Sequence, residues 1–515
     1  MVINVALINK GLHNLSPSLR YIGAVCLLSH NVQSQAFSVT AIPSLTFQEI
    51  FSDNIRLANS GDEQGAFVTE LSPSISISAQ PGRSNINLFY RMQNLYNAGG
   101  SDDVKTFNQL QHRTNTTVIQ NRVFLDTHSS ISQQNLSNTQ IARDNISGPG
   151  NRTNVMTYGI SPTWTPQIGN YASGVLQFRF DSFESDSGST SNQNAFSDTV
   201  TLSESIQITS GPEFKRVTWS LSHNNTDNIR SNSEDVSFQN SSGTVRTFLN
   251  KNFNIFSQVG YSDNNILSNN RNRNGLSYTF GGQWQPSRYY SIEAGGGNNS
   301  HITIDVWPMR RLNWRTTIRN NEIGLNTGET FDTAINYQTR RSTWSLTHTN
   351  DTTTIQDILL QQLNRTEDQF GNPITGLPET NDPSNPTLSN DVIVRKRWNF
   401  GTSFNTGKST INANAFNETR DFQLSGDRQI VRGINATWNW QFERNTSAYI
   451  RPLWQETDRG TSGNDERFDF LIGVNRSIIT GVNASLEVRH LNQTSSFNTN
   501  NFEENRATAS LNMRY

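Results

Sequence analysis

A single cysteine, Cys26, stands in 515 residues, so no internal disulfide can staple the fold. Apolar residues are also scarce, at 33% of the chain, well below the share a soluble protein of this length uses to fill a core. No apolar run approaches the roughly 20 residues that a membrane-spanning helix needs. Formal charge is −2, which gives no one-sign field to attract nucleic acid or an anionic surface. Metal-protease, phosphate-loop, calcium-loop and nucleophile-elbow spacings are missing. The expectation is therefore no enzyme, no cofactor, no metal and no nucleic-acid partner. These absences alone would describe a disordered chain. The 28 Phe, 12 Tyr and 10 Trp contradict that, because disordered segments are poor in aromatics.

What the chain does have is alternation. At 505–515, Ala507, Ala509, Leu511, Met513 and Tyr515 form an apolar row, and Arg506, Thr508, Ser510, Asn512 and Arg514 a polar one. A long strand ending on an aromatic is an unprotected edge in water, whereas in a transmembrane β-barrel it pairs with the first strand and no edge remains. A barrel also explains the polar composition, since half of every strand faces a wet lumen. The strand resembles the C-terminal recognition strand of bacterial outer-membrane proteins. That resemblance implies an assembly signal at Leu511, Met513 and Tyr515, read by the barrel assembly machinery.

The same pattern recurs upstream. Val39, Ala41, Pro43, Leu45 and Phe47 begin it, with Ile42 out of phase, and Leu71, Pro73, Ile75, Ile77 and Ala79 follow before a turn at Pro81, Gly82 and Arg83. Later units alternate through Ile434, Ala436, Trp438, Trp440 and Phe442, and through Phe468, Phe470, Ile472 and Val474. Tight turns carry Pro or Gly, while connections such as 134–152, 224–241 and 350–390 are long and polar. The fold predicted is an all-β, antiparallel, up-and-down transmembrane barrel of roughly 24 strands (range about 20–26), with short periplasmic turns and long extracellular loops. The segments 106–118, 245–261 and 302–318 alternate poorly and leave that number open. Trp164, Trp284 and Trp307 precede prolines at short turns and are expected in the aromatic girdle.

At the N-terminus, the apolar run 21–28 behind Lys10 and Arg20, followed by Ser34, Gln35 and Ala36, predicts a secretory signal peptide over 1–36. Residues 37–515 are then one barrel domain in the outer membrane of a Gram-negative bacterium, in contact with lipid and lipopolysaccharide, and 350–390 is its longest extracellular loop. Pro43-Ser44-Leu45, Phe51-Ser52-Asp53-Asn54-Ile55 and Leu71-Ser72-Pro73-Ser74-Ile75, with Arg122-Val123-Phe124-Leu125-Asp126 and Trp284-Gln285-Pro286-Ser287-Arg288, resemble the outer-membrane barrels associated with the exosortase (PEP-CTERM) system. The resemblance implies a role in cell-envelope or exopolysaccharide export.

Candidate chemistry is sparse. Gly295, Gly296 and Gly297 read as a hairpin tip, since no helix follows for a cofactor loop. Asp126, His128 and Ser130 share a strand face, the one arrangement pointing to an envelope hydrolase, but neighbours two apart on a strand are too distant for a relay. Asn115, Asn145 and Asn151 match glycosylation acceptors by chance composition. Asp357, Glu367, Asp368, Glu379 and Asp382 in the longest loop lack cation-ligand spacing. The lumen is more informative. Alternation turns Arg179, Arg216, Arg311, Arg315, Arg319, Arg395, Arg397, Arg451 and Arg489 inward, with Asp181, Glu293, Asp305, Asp332, Glu418 and Glu487. Bracing of the wall is the default, but Arg311, Arg315 and Arg319, expected to lack acids, would with Arg395 and Arg397 bias a pore towards anions. The leading functional expectation is a channel for a polar polymer or small polar solutes. A plugged structural or adhesive barrel is the alternative.

Overall fold

In a computed structural model, the chain is described for residues 37–98, 104–136, 141–148, 150–186, 196–266, 273–325, 327–363, 384–460, 463–496 and 501–515. The expected signal peptide, 1–36, lies outside them. The described chain forms a closed, antiparallel, 24-stranded barrel with one additional two-residue strand, Gln167–Ile168. Each strand pairs with its sequence neighbour, and the ring closes where Phe37–Ser52 pairs with Phe502–Arg514. Leu45 faces Met513 and Phe47 faces Leu511 across that seam, and the Tyr515 amide donates to Pro43 O at 3.0 Å. The seam starts higher on the first strand than alternation suggested, at Ser44 rather than Val39.

The two faces follow the period-2 pattern. Outward residues such as Leu276, Phe280, Ile434, Trp438, Leu486 and Val488 are exposed although apolar, which only lipid makes favourable. Asn435 and Thr437, between Ile434 and Trp438, point inward and are buried. A closed ring satisfies every strand's backbone without water, so the molecule is an outer-membrane barrel. Trp164, Trp284, Trp314, Trp344 and Trp440 sit exposed towards the short-turn ends of their strands, as an interfacial girdle requires. Trp307 does not join them. It lies in an irregular register between Val306 and Met309 and is half-buried.

Two-residue turns at Gly82-Arg83, Arg310-Arg311 and Arg444-Asn445 mark the periplasmic rim, where both ends of the barrel also lie. The opposite rim is less uniform than expected. Strands Val217–Arg230 and Val236–Phe248 run on through most of the predicted 224–241 loop, and Asn298 alone joins Tyr290–Gly297 to Asn299–Met309. Thus Gly295, Gly296 and Gly297 end a strand beside the tip rather than forming it. The ambiguous segment 106–118 is a single strand, Val104–Ile119, and the other two ambiguous segments each contain a hairpin.

Candidate functional site: the barrel lumen

Two extracellular loops fold into the mouth of the barrel. The first spans 136–151. Its Asp144 carboxylate accepts from Arg506 Nη1 at 2.6 Å and Arg489 Nη1 at 3.2 Å, and the adjacent Arg143 reaches Asp469 at 3.3 Å. Arg489 grips Asp469 with two nitrogens, at 2.8 and 2.6 Å, while Arg467 donates to Ile141 O at 2.6 Å. Glu504 accepts from Ser52 Oγ at 2.7 Å and from Arg506 at 3.1 Å. Arg143, Arg489 and Arg506 each meet an acid, without which their burial would be prohibitive. Burial alone raises the pKa of Asp144, but Arg506, Arg489 and Arg152 outweigh it and hold the carboxyl well below the usual carboxylate range.

The second loop contains a helix, Ile355–Leu363. Thr354 caps it: its hydroxyl accepts from the Asp357 amide at 3.2 Å while Asp357 Oδ2 accepts the Thr354 amide at 3.3 Å, a reciprocal capping box. Ile355, Ile358, Leu359 and Leu360 are buried in one cluster with Val155 and Phe183 on the sixth and seventh barrel strands and with Ile393 and Phe422 on the eighteenth and nineteenth. In a 24-stranded ring these are opposite walls. Polar ties follow: Gln111 Nε2 donates to Leu363 O at 3.0 Å, Gln356 Nε2 to Thr199 Oγ1 at 3.1 Å, and Asn390 Nδ2 to Ser197 Oγ at 2.8 Å. Arg420 donates to Ser384 O. Ile141 of the first loop and Asn385 and Pro386 of the second line one cleft. Of the acids expected in this loop, Asp357 serves the cap, and Glu367, Asp368, Glu379 and Asp382 lie outside the described residues.

Below the second loop a cavity of about 1040 Å³ extends from Ser384 to Arg310 and Arg311 at the periplasmic rim. Its wall is the lumen face of seven strands, from Leu312–Asn321 to Thr446–Asp458, carrying mostly Asn, Ser and Thr.

The charged residues anticipated for the pore are inside where they lie on strands, but not as a free cationic ring, and Arg216 is instead an exposed residue of the connection before Val217–Arg230. Arg315 lies 3.6 Å from Asp305, and Arg319 is paired with Asp332. Arg395 meets Asp351 at 2.9 Å, and Arg397 meets Glu418 at 2.8 Å. Arg311 is an exposed turn residue rather than part of that strand. The expectation of arginines without matching acids is therefore corrected: strand register brings acids opposite them. Arg451 lies over the Tyr449 ring at 4.6 Å, and the Tyr449 hydroxyl donates to Glu487 at 2.6 Å across Gly473. A Cβ on Gly473 would sit 2.4 Å from that ring, so the crossing requires glycine.

The hydrolase arrangement is not assembled. His128 Nε2 turns across the wall to within 3.1 Å of Asp181, which Arg179 also approaches at 2.7 Å, and Ser130 is buried. Among the described residues no group of three or more His, Cys, Asp or Glu is placed to hold a metal ion. What sequence reading missed is the pair of docked loops. The Thr354 to Asp357 spacing was a readable signal of the helix, but nothing local marks Arg143 and Asp144 as partners of residues more than 300 positions away.

No family model matches the chain, and no curated protein does. Among solved structures, it is similar to the ferric enterobactin receptor of Pseudomonas aeruginosa in complex with BCV-L6, at 11% identity and TM-score 0.46, over 94% of this chain and 82% of that one. The FrpB iron transporter of Neisseria meningitidis (F5-1 variant) gives 11% identity and TM-score 0.45, over 92% and 82%. A loop-deleted OmpT, an outer membrane protein of Vibrio cholerae, gives 8% identity and TM-score 0.32, over 93% and 100%.

Proposed function

We propose that this outer-membrane barrel is a passage for polar solutes or a polar polymer, closed at its extracellular mouth by its own loops and open to the periplasm. The observation that carries the reading is the order along the barrel axis: a polar-walled cavity beneath, and a cap of two docked loops above. A barrel built only as a scaffold has no use for a polar cavity of this size. Export of an envelope polysaccharide fits this direction of opening and the exosortase-associated resemblance, with lipid and lipopolysaccharide outside and the assembly machinery acting on the closing strand.

The test is conductance in a planar bilayer. Thr354 and Val392 are already paired, so residues 355–391 can be replaced by an Asn-Gly hairpin turn without disturbing the wall. The intact protein is expected to conduct rarely and the shortened one steadily. A shortened barrel that folds and remains sealed would establish the plugged, structural alternative instead.

A further inference from the structure

The cavity wall is ordered into rows by strand register. One row runs Asn313, Asn336, Ser345, Gly401, Asn414, Asn435, each opposite the next. The row on its extracellular side places Thr347, Asn399, Phe416 and Gly433 side by side. The side-chain carbonyl oxygens of Asn399 and Asn414 are buried and make no hydrogen bond. Buried polar groups without partners are rare enough to require a reason. Phe416 lies across Gly433, where a Cβ would come within 2.6 Å of the ring, and the Arg397 guanidinium covers it at 4.4 Å while its charge goes to Glu418.

We infer that this wall is a binding site for a neutral, polyhydroxylated ligand of the carbohydrate class, entered from the periplasmic side. A primary amide both donates and accepts, and so does a hydroxyl, so rows of Asn and Ser match a chain of hydroxyl groups. Carboxylate and phosphate only accept, so they could not partner the unsatisfied carbonyl oxygens of Asn399 and Asn414, which a hydroxyl could reach only as these side chains turn towards the cavity. Such anions would also find Arg397 already neutralised. At about 1040 Å³ the cavity is at the upper end of small-ligand sites, roughly 300–1,000 Å³, and takes a short oligomer rather than one ring. The inference deepens the passage reading and rests on it only for the ligand's route.

Binding and conduction are measured separately. Calorimetric titration of the full-length, detergent-solubilised barrel with maltohexaose is expected to show saturable binding. The double variant Asn399→Ala with Asn414→Ala should lower affinity about tenfold, the effect of losing two ordinary hydrogen bonds. Gln207→Ala, on the far wall, should leave it unchanged. Hexagalacturonate should bind at least tenfold more weakly. Heat-modifiable migration checks that each variant is folded. Equal affinity in the double variant, tighter binding of the acidic oligomer, or no binding to folded protein overturns the site. Maltohexaose binding by a barrel that never conducts, even with its loop removed, keeps the site and refutes the passage. Steady conductance without binding does the reverse.

Discussion

Two regions of the same lumen solve opposite problems. Beneath the closing seam, the strands Asn464–Ile479, Val482–Ser495 and Phe502–Arg514 present Asp469, Arg489, Glu504 and Arg506, all buried, to Arg143 and Asp144 of a loop. Across the barrel, the wall from Leu312–Asn321 to Thr446–Asp458 presents amides and hydroxyls to an open cavity. At the seam the lumen is filled, and there each ion pair is strong and a missing partner is severe. Neutral hydrogen-bonding groups line the open cavity across the barrel.

The largest effect is expected at the seam. Deleting 511–515 removes the ladder that joins Phe47 to Leu511 and Leu45 to Met513, so no heat-modifiable barrel should reach the outer membrane, and protease-sensitive chain should collect in the periplasm. Next in size is Asp144→Asn. It leaves Arg489 and Arg506 facing each other without their shared acid, at a cost of about 3 kcal/mol, the low end for a buried pair because the Asp144 side chain is 31% exposed. Limited proteolysis should then cut within 136–151, and conductance should rise.

The same carboxylate sets the pH response. Its docked pKa is depressed, so its contribution is complete above the free carboxylate value of about 3.9 and is lost only as pH falls below that. Conductance recorded from pH 8 to pH 5 should stay low and rise only in stronger acid. A rise near neutral pH would assign the closure to another group.

Of similar magnitude is a charge on the lipid face: Ile434→Arg should cost about 2–4 kcal/mol by equilibrium unfolding, against less than about 0.5 for Gln207→Arg in the open lumen. Smallest is the helix cap, where Thr354→Ala should cost about 1 kcal/mol and raise hydrogen exchange in Ile355–Leu363 without altering the barrel.

Much of the fold was legible because alternation is local. Ile434, Trp438 and Phe468 face lipid as their positions predict, and the hairpin at Pro81, Gly82 and Arg83 is where its turn residues place it. Asn435 and Thr437 face inward, as their places between Ile434 and Trp438 require, but their burial could not be read, since alternation reports the face and not how full the lumen is. The arginine reading failed for a related reason. Arg319 and Asp332 meet through the register of two strands, and register depends on where a turn begins to the residue. Trp307 fell to a one-residue irregularity of the same kind. The loop clamp was beyond local reading altogether, because Arg143 and Asp469 become neighbours only when the barrel closes.

The claim that the loops close an otherwise open polar lumen is tested most directly by side-specific labelling of Asn336→Cys in a Cys26→Ser background. Asn336 is exposed on the cavity wall, below the docked loops. A membrane-impermeant thiol reagent applied to whole cells should leave the intact barrel unlabelled and should label the barrel lacking 355–391, while reagent admitted to the periplasm labels both. Labelling of the intact barrel from outside, at the rate of the shortened one, would contradict the account.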